Sequence, residues 1–372
     1  MKPAIQAKFQ LSYGHFQLAV DLQLPAHGVS VLFGPSGSGK TTLLRCIAGL
    51  QRPQQGWLTI NQQRWQDSSQ QLFIPTHQRN LGYVFQDANL FPHLSVQDNL
   101  HYGLKRSNQN AEHLPAILHL LGIDHLLSRM PAHLSGGEKQ RVAIARALAL
   151  NPDILLMDEP LAALDDARKQ EILPYLICLH QQLQIPVLYV THSRQEVAQL
   201  ADYLVLMDAG QVIANGPLDS MLARLDLPLA ASSVWQVTVL QHEHRYQLSQ
   251  VGFVGGELSL SQIAAPVGSQ LRLQIDARDV SISLQQATAS SILNILPATI
   301  TGIREQDNGH CLVRLQVGPQ TLLADITQKS LHLLGLRLDM QVFAQIKGTS
   351  LLSGTGHRNS KRLLTDCAQP FA

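Results

Sequence analysis

The sequence lacks a strong charge of either sign. Its 372 residues carry 28 Lys and Arg against 27 Asp and Glu, which gives a formal net charge of +1 with histidine neutral. A protein that coats nucleic acid needs a basic surplus to neutralise phosphates, so this balance argues against that class. Only 15% of the residues are charged and 45% are apolar, which excludes disorder as the dominant state. The length predicts two or three domains.

Cysteine is scarce, and long apolar runs are missing. The four cysteines lie far apart without a CxxC pair, which favours reduced thiols over a disulfide framework or a zinc site. No apolar run reaches the roughly 18 residues of a membrane-spanning helix, and the N-terminus lacks the apolar stretch of a secretory signal. If this protein works at a membrane, another chain must span it.

The first 215 residues alternate short apolar runs with segments of helical spacing. A helix is predicted at residues 40–50, and residues 95–150 read as a more polar, mostly helical insertion. Strands are predicted at residues 29–33, 81–85, 154–157, 187–190 and 203–207. Alternation of this kind predicts a parallel sheet with crossover helices.

The pattern changes after Gly216-Pro217. From about residue 235 onward, short alternating segments are separated by turns, of which Asn308-Gly309 is the clearest. Strands are predicted at residues 235–240, 271–275, 311–317 and 341–346. This pattern predicts a small all-β unit.

A glycine-rich turn follows the strand at residues 29–33. It fits the pattern GxxxxGK[ST] in the required context, with a strand before it and a helix after it. The glycines let successive N–H groups and the helix N-terminus point at a phosphate chain, while Lys40 reaches the β- and γ-phosphates and the Thr41 hydroxyl ligates Mg²⁺. The predicted phosphate-binding residues are Gly34, Pro35, Ser36, Gly37, Ser38, Gly39, Lys40, Thr41 and Thr42.

Two adjacent carboxylates end the buried strand at residues 154–157. Asp158 is predicted to hold Mg²⁺, directly or through water. Glu159 would lie nearer the γ-phosphate, where a carboxylate can orient or deprotonate the attacking water.

A second candidate anion site is Ser135-Gly136-Gly137, which precedes a periodic helix in the segment LSGGEKQR. A hydroxyl and open N–H groups at a positive helix end suit an anion. The alternative is a capping box of Ser135 with Glu138. Paired glycines weaken a helix start unless a ligand backbone approaches closely, so they favour the anion site.

The order of these motifs resembles the ATPase subunits of ABC transporters. The resemblance implies that Gln86 belongs to the Q-loop, which contacts Mg²⁺ and senses the membrane subunit, and that Asp165 belongs to the D-loop. It makes His192 the switch histidine at the γ-phosphate, so Glu159, His192 and Gln86 form the implied catalytic set. Tyr13 would stack on adenine, with Phe16 as the alternative.

The resemblance implies an α/β fold, namely a P-loop ABC ATPase domain with an inserted helical lobe. A small all-β, OB-like domain would follow at the C-terminus. Residues 290–294 and 342–347 resemble the small oxyanion-binding domain of molybdate proteins. The predicted division is therefore an ATP-binding domain at 1–230, a linker with the first part of the β region at 231–289, a molybdate-binding-like domain at 290–352 and a flexible tail at 353–372.

The family resemblance also implies the cofactors, partners and location. The cofactors would be ATP and Mg²⁺. Two anion-binding helix ends in one chain make sense if they clamp opposite sides of one triphosphate in a homodimer. Integral membrane permease subunits would meet residues 87–100, a periplasmic molybdate-binding protein would act indirectly, and the chain would be peripheral on the cytoplasmic face of the inner membrane.

Segments on both sides of residue 217 are similar to the molybdate branch of the importers. Short hydroxyl side chains with one cation suit a tetrahedral dianion, which makes Ser290, Ser291 and Lys347 candidate oxyanion ligands. The chain departs from the family pattern at Leu293, where Arg is usual, and a purely structural β domain is the alternative. Molybdate, and with it tungstate, is the implied substrate. Sulfate, iron or polyamine import remains an alternative, as does an ABC-type ATPase without a membrane partner.

Overall fold

The computed structural model describes residues 4–107, 112–227, 232–307, 309–348 and 352–353. The chain forms two compact units, the first ending at Pro217 and the second beginning at Leu218. The predicted domain boundaries at residues 230, 289 and 352 stay predictions. Residues 354–372 of the predicted tail, and Asn308 of the predicted turn, lie outside the described residues.

The first unit contains one mixed sheet, whose eleven strands are counted over the described residues in the order β6-β5-β4-β1-β2-β11-β10-β3-β9-β8-β7. The strands are β1 (Ile5–Tyr13), β2 (Phe16–Leu24), β3 (Val29–Phe33), β4 (Gln55–Ile60), β5 (Gln63–Asp67), β6 (Leu72–Phe73), β7 (Leu81–Val84), β8 (Ile154–Asp158), β9 (Val187–Thr191), β10 (Tyr203–Asp208) and β11 (Gln211–Pro217). The helices are α1 (Lys40–Ala48), α2 (Val96–Ser107), α3 (Leu114–Leu120), α4 (Gly136–Leu148), α5 (Asp166–Gln182) and α6 (Arg194–Leu200).

The predicted parallel sheet is confirmed for β10, β3, β9, β8 and β7, which are neighbours in that order and all parallel. The five strands that the sequence predicts differ from these by at most one residue. Helix α1 is two residues shorter than predicted, because Gly49 ends it in a left-handed conformation at φ 75°. The antiparallel strands β1, β2, β4, β5, β6 and β11 have no counterpart in the sequence prediction.

The central strands are buried on both faces. All five residues of β8 and all five of β9 are buried, which explains their near-continuous apolar character. Helix α1 packs against β8 and β9, α4 against β7, and α6 against β3. The predicted helical insertion at residues 95–150 contains α2, α3 and α4.

The second unit is all-β apart from two short helices, as the sequence predicts. Over the described residues it has two five-stranded antiparallel sheets, ordered β14-β13-β12-β15-β21 and β16-β20-β17-β18-β19. The elements are α7 (Leu218–Leu222), β12 (Ser232–Glu243), β13 (Leu248–Phe253), β14 (Gly256–Ser261), β15 (Gln270–Asp276), β16 (Val280–Ser283), β17 (Asn294–Glu305), β18 (His310–Val317), β19 (Gln320–Thr327), α8 (Gln328–Leu333), β20 (Gln341–Ile346) and β21 (Leu352–Ser353).

Both sheets of the second unit share one apolar core, in which Trp235 and Ile300 are almost fully buried. The Trp235 indole donates a hydrogen bond to the Thr321 carbonyl at 2.8 Å. Asn294 is also buried. The Asn294 side-chain oxygen accepts from the Ser259 N–H, and its amide nitrogen donates to the Ser259 carbonyl and, at 3.2 Å, to the Ile346 carbonyl. The Asn294 amide therefore links β17 to β14 and β20 instead of facing a ligand.

Two of the four cysteines, Cys46 and Cys311, are free and buried, as the sequence predicts. Cys367 lies outside the described residues. No helix of the described residues is long and apolar enough to cross a membrane.

Arg79 holds the C-terminal end of α1 against the antiparallel strands. It is 5% exposed, and its guanidinium donates to the carbonyls of Ile47 at 2.6 Å, Cys46 at 3.2 Å and Ile74 at 2.7 Å. The Phe73 ring lies 5.0 Å from the guanidinium carbon. A cation at these last carbonyls also interacts favourably with the helix dipole.

Replacing Arg79→Met is expected to lower the free energy of unfolding by about 2–4 kcal/mol, because three carbonyls lose a charged donor. Urea denaturation of the full chain measures this. Arg52 also lies over the Phe73 ring, at 5.1 Å, but is exposed. The matched Arg52→Met control should therefore change the free energy by less than about 0.5 kcal/mol. Equal effects of the two substitutions would contradict this role of Arg79.

Candidate active site

The candidate site lies where three neighbouring parallel strands end. In the sheet register Phe33 of β3 is paired with Thr191 of β9, and Asp158 of β8 is paired with Val190 of β9. The residues that follow these strands therefore meet at one edge of the sheet. In open α/β sheets, ligands bind at the carboxyl ends of the strands.

The glycine-rich turn forms a loop between β3 and α1, and the backbone at two positions of this loop favours glycine. Gly37 and Gly39 have φ of 82° and 95°, a left-handed region that strains other residues. A side chain at Gly39 would also come within 2.8 Å of the Phe16 ring. The loop leads directly into the N-terminus of α1. Phosphate binding by this loop stays a prediction.

Lys40 folds over the loop that precedes it. Its ammonium donates to the carbonyls of Gly34 at 2.9 Å and Pro35 at 2.8 Å, and to Ser38 Oγ at 3.4 Å. Burial lowers the pKa of Lys40, and the charge of Glu159 opposes that shift. The lysine thus supplies a positive charge to the middle of the loop, held there by two carbonyls and one hydroxyl.

A cavity of about 380 Å³ opens beside this loop. Seven of the predicted residues line it, together with Phe16: Ser36, Gly37, Gly39, Lys40, Thr41, Thr42 and Glu159. Tyr13 does not line it and is 57% exposed, although Tyr13 and Phe16 are paired across the β1–β2 hairpin. The aromatic side chain at the cavity is therefore Phe16, the alternative in the sequence analysis.

Asp158 accepts hydrogen bonds from two hydroxyls. Thr41 Oγ1 donates to one carboxylate oxygen at 2.8 Å, and the Tyr83 hydroxyl donates to the other at 3.1 Å. Burial, reinforced by the Asp158 charge, raises the pKa of Tyr83, which keeps that hydroxyl a donor. Sequence reasoning missed Tyr83, because a tyrosine in a strand gives no signal beyond packing.

The oxygen donors of Thr41 and Asp158 fit Mg²⁺. This ion prefers oxygen ligands and keeps most of its coordination for water and substrate phosphates, so one hydroxyl and one carboxylate suffice from the protein. No group of three or more His, Cys, Asp or Glu side chains that could enclose a metal occurs in the part of the chain that the structure describes.

Glu159 and His192 are in contact. His192 Nδ1 lies 3.1 Å from Glu159 Oε2, and the Glu159 backbone N–H donates to the Val190 carbonyl at 3.1 Å. Glu159 has φ of 45°, a conformation that costs about 1–3 kcal/mol for a residue other than glycine. The fold holds this strained residue at the cavity, with the imidazole against its carboxylate.

The segment Ser135-Gly136-Gly137 forms the capping box that the sequence analysis kept as an alternative. Ser135 Oγ accepts from the Glu138 N–H at 3.2 Å, and Glu138 accepts from the Ser135 N–H at 2.7 Å. A side chain at Gly136 would lie 2.9 Å from Leu164. Close packing against Leu164 is therefore sufficient to explain the glycine at this position. The cap and an anion site can coexist, and the segment does not line the cavity of its own chain.

The other predicted residues of the first unit lie near the ends of strands or helices. Gln86 follows β7 and is exposed. Asp165 caps the N-terminus of α5, where its carboxylate accepts from the Arg168 N–H at 2.9 Å. The roles that the family resemblance implies for these two residues stay predictions.

The predicted oxyanion ligands of the second unit are all exposed. Ser290 Oγ accepts from the Ile292 N–H at 3.0 Å, and Leu293 is 64% exposed. A cavity of about 120 Å³ in this unit is lined by other residues, among them Asp219, Ser233 and Gln320. Oxyanion binding by Ser290, Ser291 and Lys347 stays a prediction.

Comparison with known proteins gives matches to two family models and to relatives that are similar to this chain over most of its length. Residues 18–162 match the ABC transporter family and residues 290–352 match the TOBE domain. The molybdenum import ATP-binding protein ModC of Aromatoleum aromaticum is 52% identical over 355 residues, 94% of each chain. ModC 1 of Azotobacter vinelandii is 51% identical over 94% of this chain and 98% of its own length, and ModC of Methylococcus capsulatus is 51% identical over 94% and 99%.

Among solved structures, the chain is similar to cbiO1 of Clostridium perfringens, described as part of the ABC transporter complex cbiONQ. The TM-score is 0.53 at 26% identity, and the match covers 60% of this chain and 92% of that one.

The replacement Thr41→Val is expected to raise the Mg²⁺ concentration needed for half-maximal ATP binding by about tenfold or more, because the hydroxyl next to Asp158 is lost. Fluorescent-nucleotide titration at several Mg²⁺ concentrations measures it. Tyr83→Phe is the matched control, since it removes the other hydroxyl on the same carboxylate, and should change the requirement by less than about threefold. The Mg²⁺ assignment fails if Thr41→Val leaves the requirement unchanged.

Proposed function

Because the chain belongs to the family of molybdenum import ATP-binding proteins of ABC transporters, we propose that it hydrolyses ATP as a homodimer and thereby drives molybdate uptake through separate membrane subunits. The observation that carries this proposal is the contact between Glu159 and His192 at the edge of the cavity that Lys40 and Thr41 line. Tungstate, which has the same tetrahedral shape and charge, is a second substrate.

The loop of residues 34–42 would hold the triphosphate of ATP. Its backbone N–H groups and the start of α1 are electropositive, and the Lys40 ammonium adds a full charge. Thr41 and Asp158 would hold Mg²⁺, with Gln86 as a further ligand, and Phe16 would contact the adenine ring. Bound Mg²⁺ would neutralise charge on the β- and γ-phosphates.

Glu159 would serve as general base. Its carboxylate orients the attacking water and takes a proton as the water oxygen bonds to the γ-phosphorus. The bond from that phosphorus to the β–γ bridging oxygen breaks, which releases ADP and phosphate. His192, in contact with Glu159, keeps the carboxylate pointed at the water.

The homodimer is supported by the position of the second anion-binding helix end. Ser135 caps the N-terminus of α4, whose first two residues are Gly136 and Gly137, and none of the three lines the cavity of its own chain. In two copies facing each other, this segment of one subunit would close over the γ-phosphate held by the other, with Asp165 at the seam. ATP would then join the subunits, and hydrolysis would separate them.

The proposed docking of a membrane permease at residues 87–100 is supported by the hydrogen bonds that hold this loop in place. The buried Asn99 amide donates to the carbonyls of Phe91 and Leu94, each at 3.1 Å, and accepts from the Phe91 N–H at 2.8 Å. Arg146 of α4 donates to the Ala88 carbonyl at 3.3 Å. Movement of this loop would therefore reach α4, whose N-cap is Ser135. The permease would hold the chain on the cytoplasmic face of the inner membrane, and a periplasmic binding protein would deliver the anion to that permease.

The replacement Glu159→Gln is expected to leave ATP affinity within about threefold and to lower the hydrolysis rate by about 100-fold or more, because an amide cannot take a proton from water. Hydrolysis of radiolabelled ATP measures the rate. Size-exclusion chromatography with ATP detects the stable dimer that is expected when bound ATP is not hydrolysed. Glu171→Gln, an exposed glutamate on α5, is the matched control and should retain wild-type activity. Normal hydrolysis by Glu159→Gln would remove Glu159 from the role of base.

Substrate class is tested by calorimetric titration of the full chain with molybdate, tungstate and sulfate. If Ser290, Ser291 and Lys347 form an oxyanion site, molybdate and tungstate should bind at micromolar concentration and sulfate weakly, and Lys347→Ala should weaken binding by about tenfold. No heat from any anion would contradict the oxyanion site, and ATP-dependent molybdate uptake by the reconstituted importer would then remain the test of the transport function.

A further inference from the structure

A buried carboxylate lies behind the candidate active site and outside every motif that the sequence analysis singled out. Glu196 is in the first turn of α6 and is 4% exposed. Burial of an ionisable group is unfavourable unless hydrogen bonds compensate for the lost water. An apolar residue would fill the same position at lower cost, so the contacts of Glu196 need an explanation.

One oxygen of Glu196 accepts two hydrogen bonds from β9. The hydroxyls of Tyr189 and Thr191 each donate to Oε2 at 2.8 Å. Tyr189 is 1% exposed. Burial and the Glu196 charge raise its pKa well above the usual value, so it remains a donor.

The contacts continue through the residues on either side of His192. Thr191 Oγ1 accepts from the Ser193 N–H at 3.0 Å, and Ser193 Oγ accepts from the Glu196 N–H at 3.4 Å. The chain before His192 and the chain after it are thereby tied to each other and to one carboxylate. This closed set of bonds leaves the backbone of His192 little freedom.

The His192 side chain itself is more loosely held. It is 57% exposed, and its described contact is the one between Nδ1 and Glu159 at 3.1 Å. The position of the imidazole therefore depends on the backbone that carries it. A displacement of about 1 Å at a reacting group can lower a rate by about 100-fold.

We propose that Glu196 is a positioning residue for His192: through Thr191 and Ser193 it sets the place of the imidazole against Glu159. The inference rests on the proposed ATP hydrolysis and deepens it. Glu196 touches neither the cavity nor Lys40, so its removal should slow turnover while ATP binding persists.

The first test compares two substitutions that each remove one donor to the same oxygen. Thr191→Val removes the hydroxyl that also accepts a hydrogen bond from the Ser193 N–H, whereas Tyr189→Phe removes a hydroxyl that is bonded to Glu196 but not to Ser193. Thr191→Val is expected to lower kcat by about tenfold or more with KM for ATP within about twofold, and Tyr189→Phe to lower kcat by less than about threefold. Steady-state hydrolysis by the full chain measures both.

The second test replaces the carboxylate itself. Glu196→Gln keeps an oxygen that both hydroxyls can reach and should retain kcat within about threefold, whereas Glu196→Leu keeps the volume, removes the acceptor and should lose about tenfold or more. In a His192→Ala background, Glu196→Leu should add less than about twofold, because its effect passes through His192.

Equal losses of kcat in Thr191→Val and Tyr189→Phe would overturn the inference, as would an unchanged kcat in both Thr191→Val and Glu196→Leu. If Glu196→Leu does not fold, the Thr191 and Tyr189 pair still decides. Absence of ATP hydrolysis by the wild-type chain would instead overturn the proposed function, so the two failures are distinguishable.

Discussion

The register of three parallel strands is the constraint on which the candidate site depends. β3, β9 and β8 are adjacent, and their hydrogen bonds bring Phe33, Asp158 and Thr191 to the same edge of the sheet. The predicted phosphate-binding loop, Glu159 and His192 come directly after these residues. A slip of one residue would turn each following side chain to the other face of the sheet. The fully buried β8 and β9 prevent such a slip, because it would expose or misplace their apolar side chains.

Buried polar side chains give this framework its precision. Glu196 ties the backbone on both sides of His192, Asn99 holds the loop at residues 91–95, and Asn294 links strands of the second unit. Each makes several hydrogen bonds to groups far from it in sequence or on a neighbouring element. Buried polar groups of this kind are stable only when their partners are in place. They therefore select one arrangement, where apolar packing would tolerate several.

The glycine-rich segments show how one local structure can serve two purposes. Ser135 and Glu138 form a capping box, which is sufficient reason for a serine at the start of α4. Gly136 also leaves room for Leu164. Helix capping and close packing thus account for part of the motif within one chain. The proposed dimer places an anion at the same helix N-terminus, so the structural and functional interpretations are compatible.

The α/β and all-β parts, the predicted phosphate-binding loop and the carboxylates after β8 could be predicted from the sequence, because short-range patterns encode them. Strand period, glycine spacing and residue order act over a few positions. Three features emerge only from the folded chain: Phe16 rather than Tyr13 lines the cavity, Tyr83 contacts Asp158, and Glu196 binds Thr191 next to His192. The antiparallel strands β1, β2 and β4–β6 were likewise found only in the fold. These features depend on which distant segments pack together, and no local pattern in the chain specifies that.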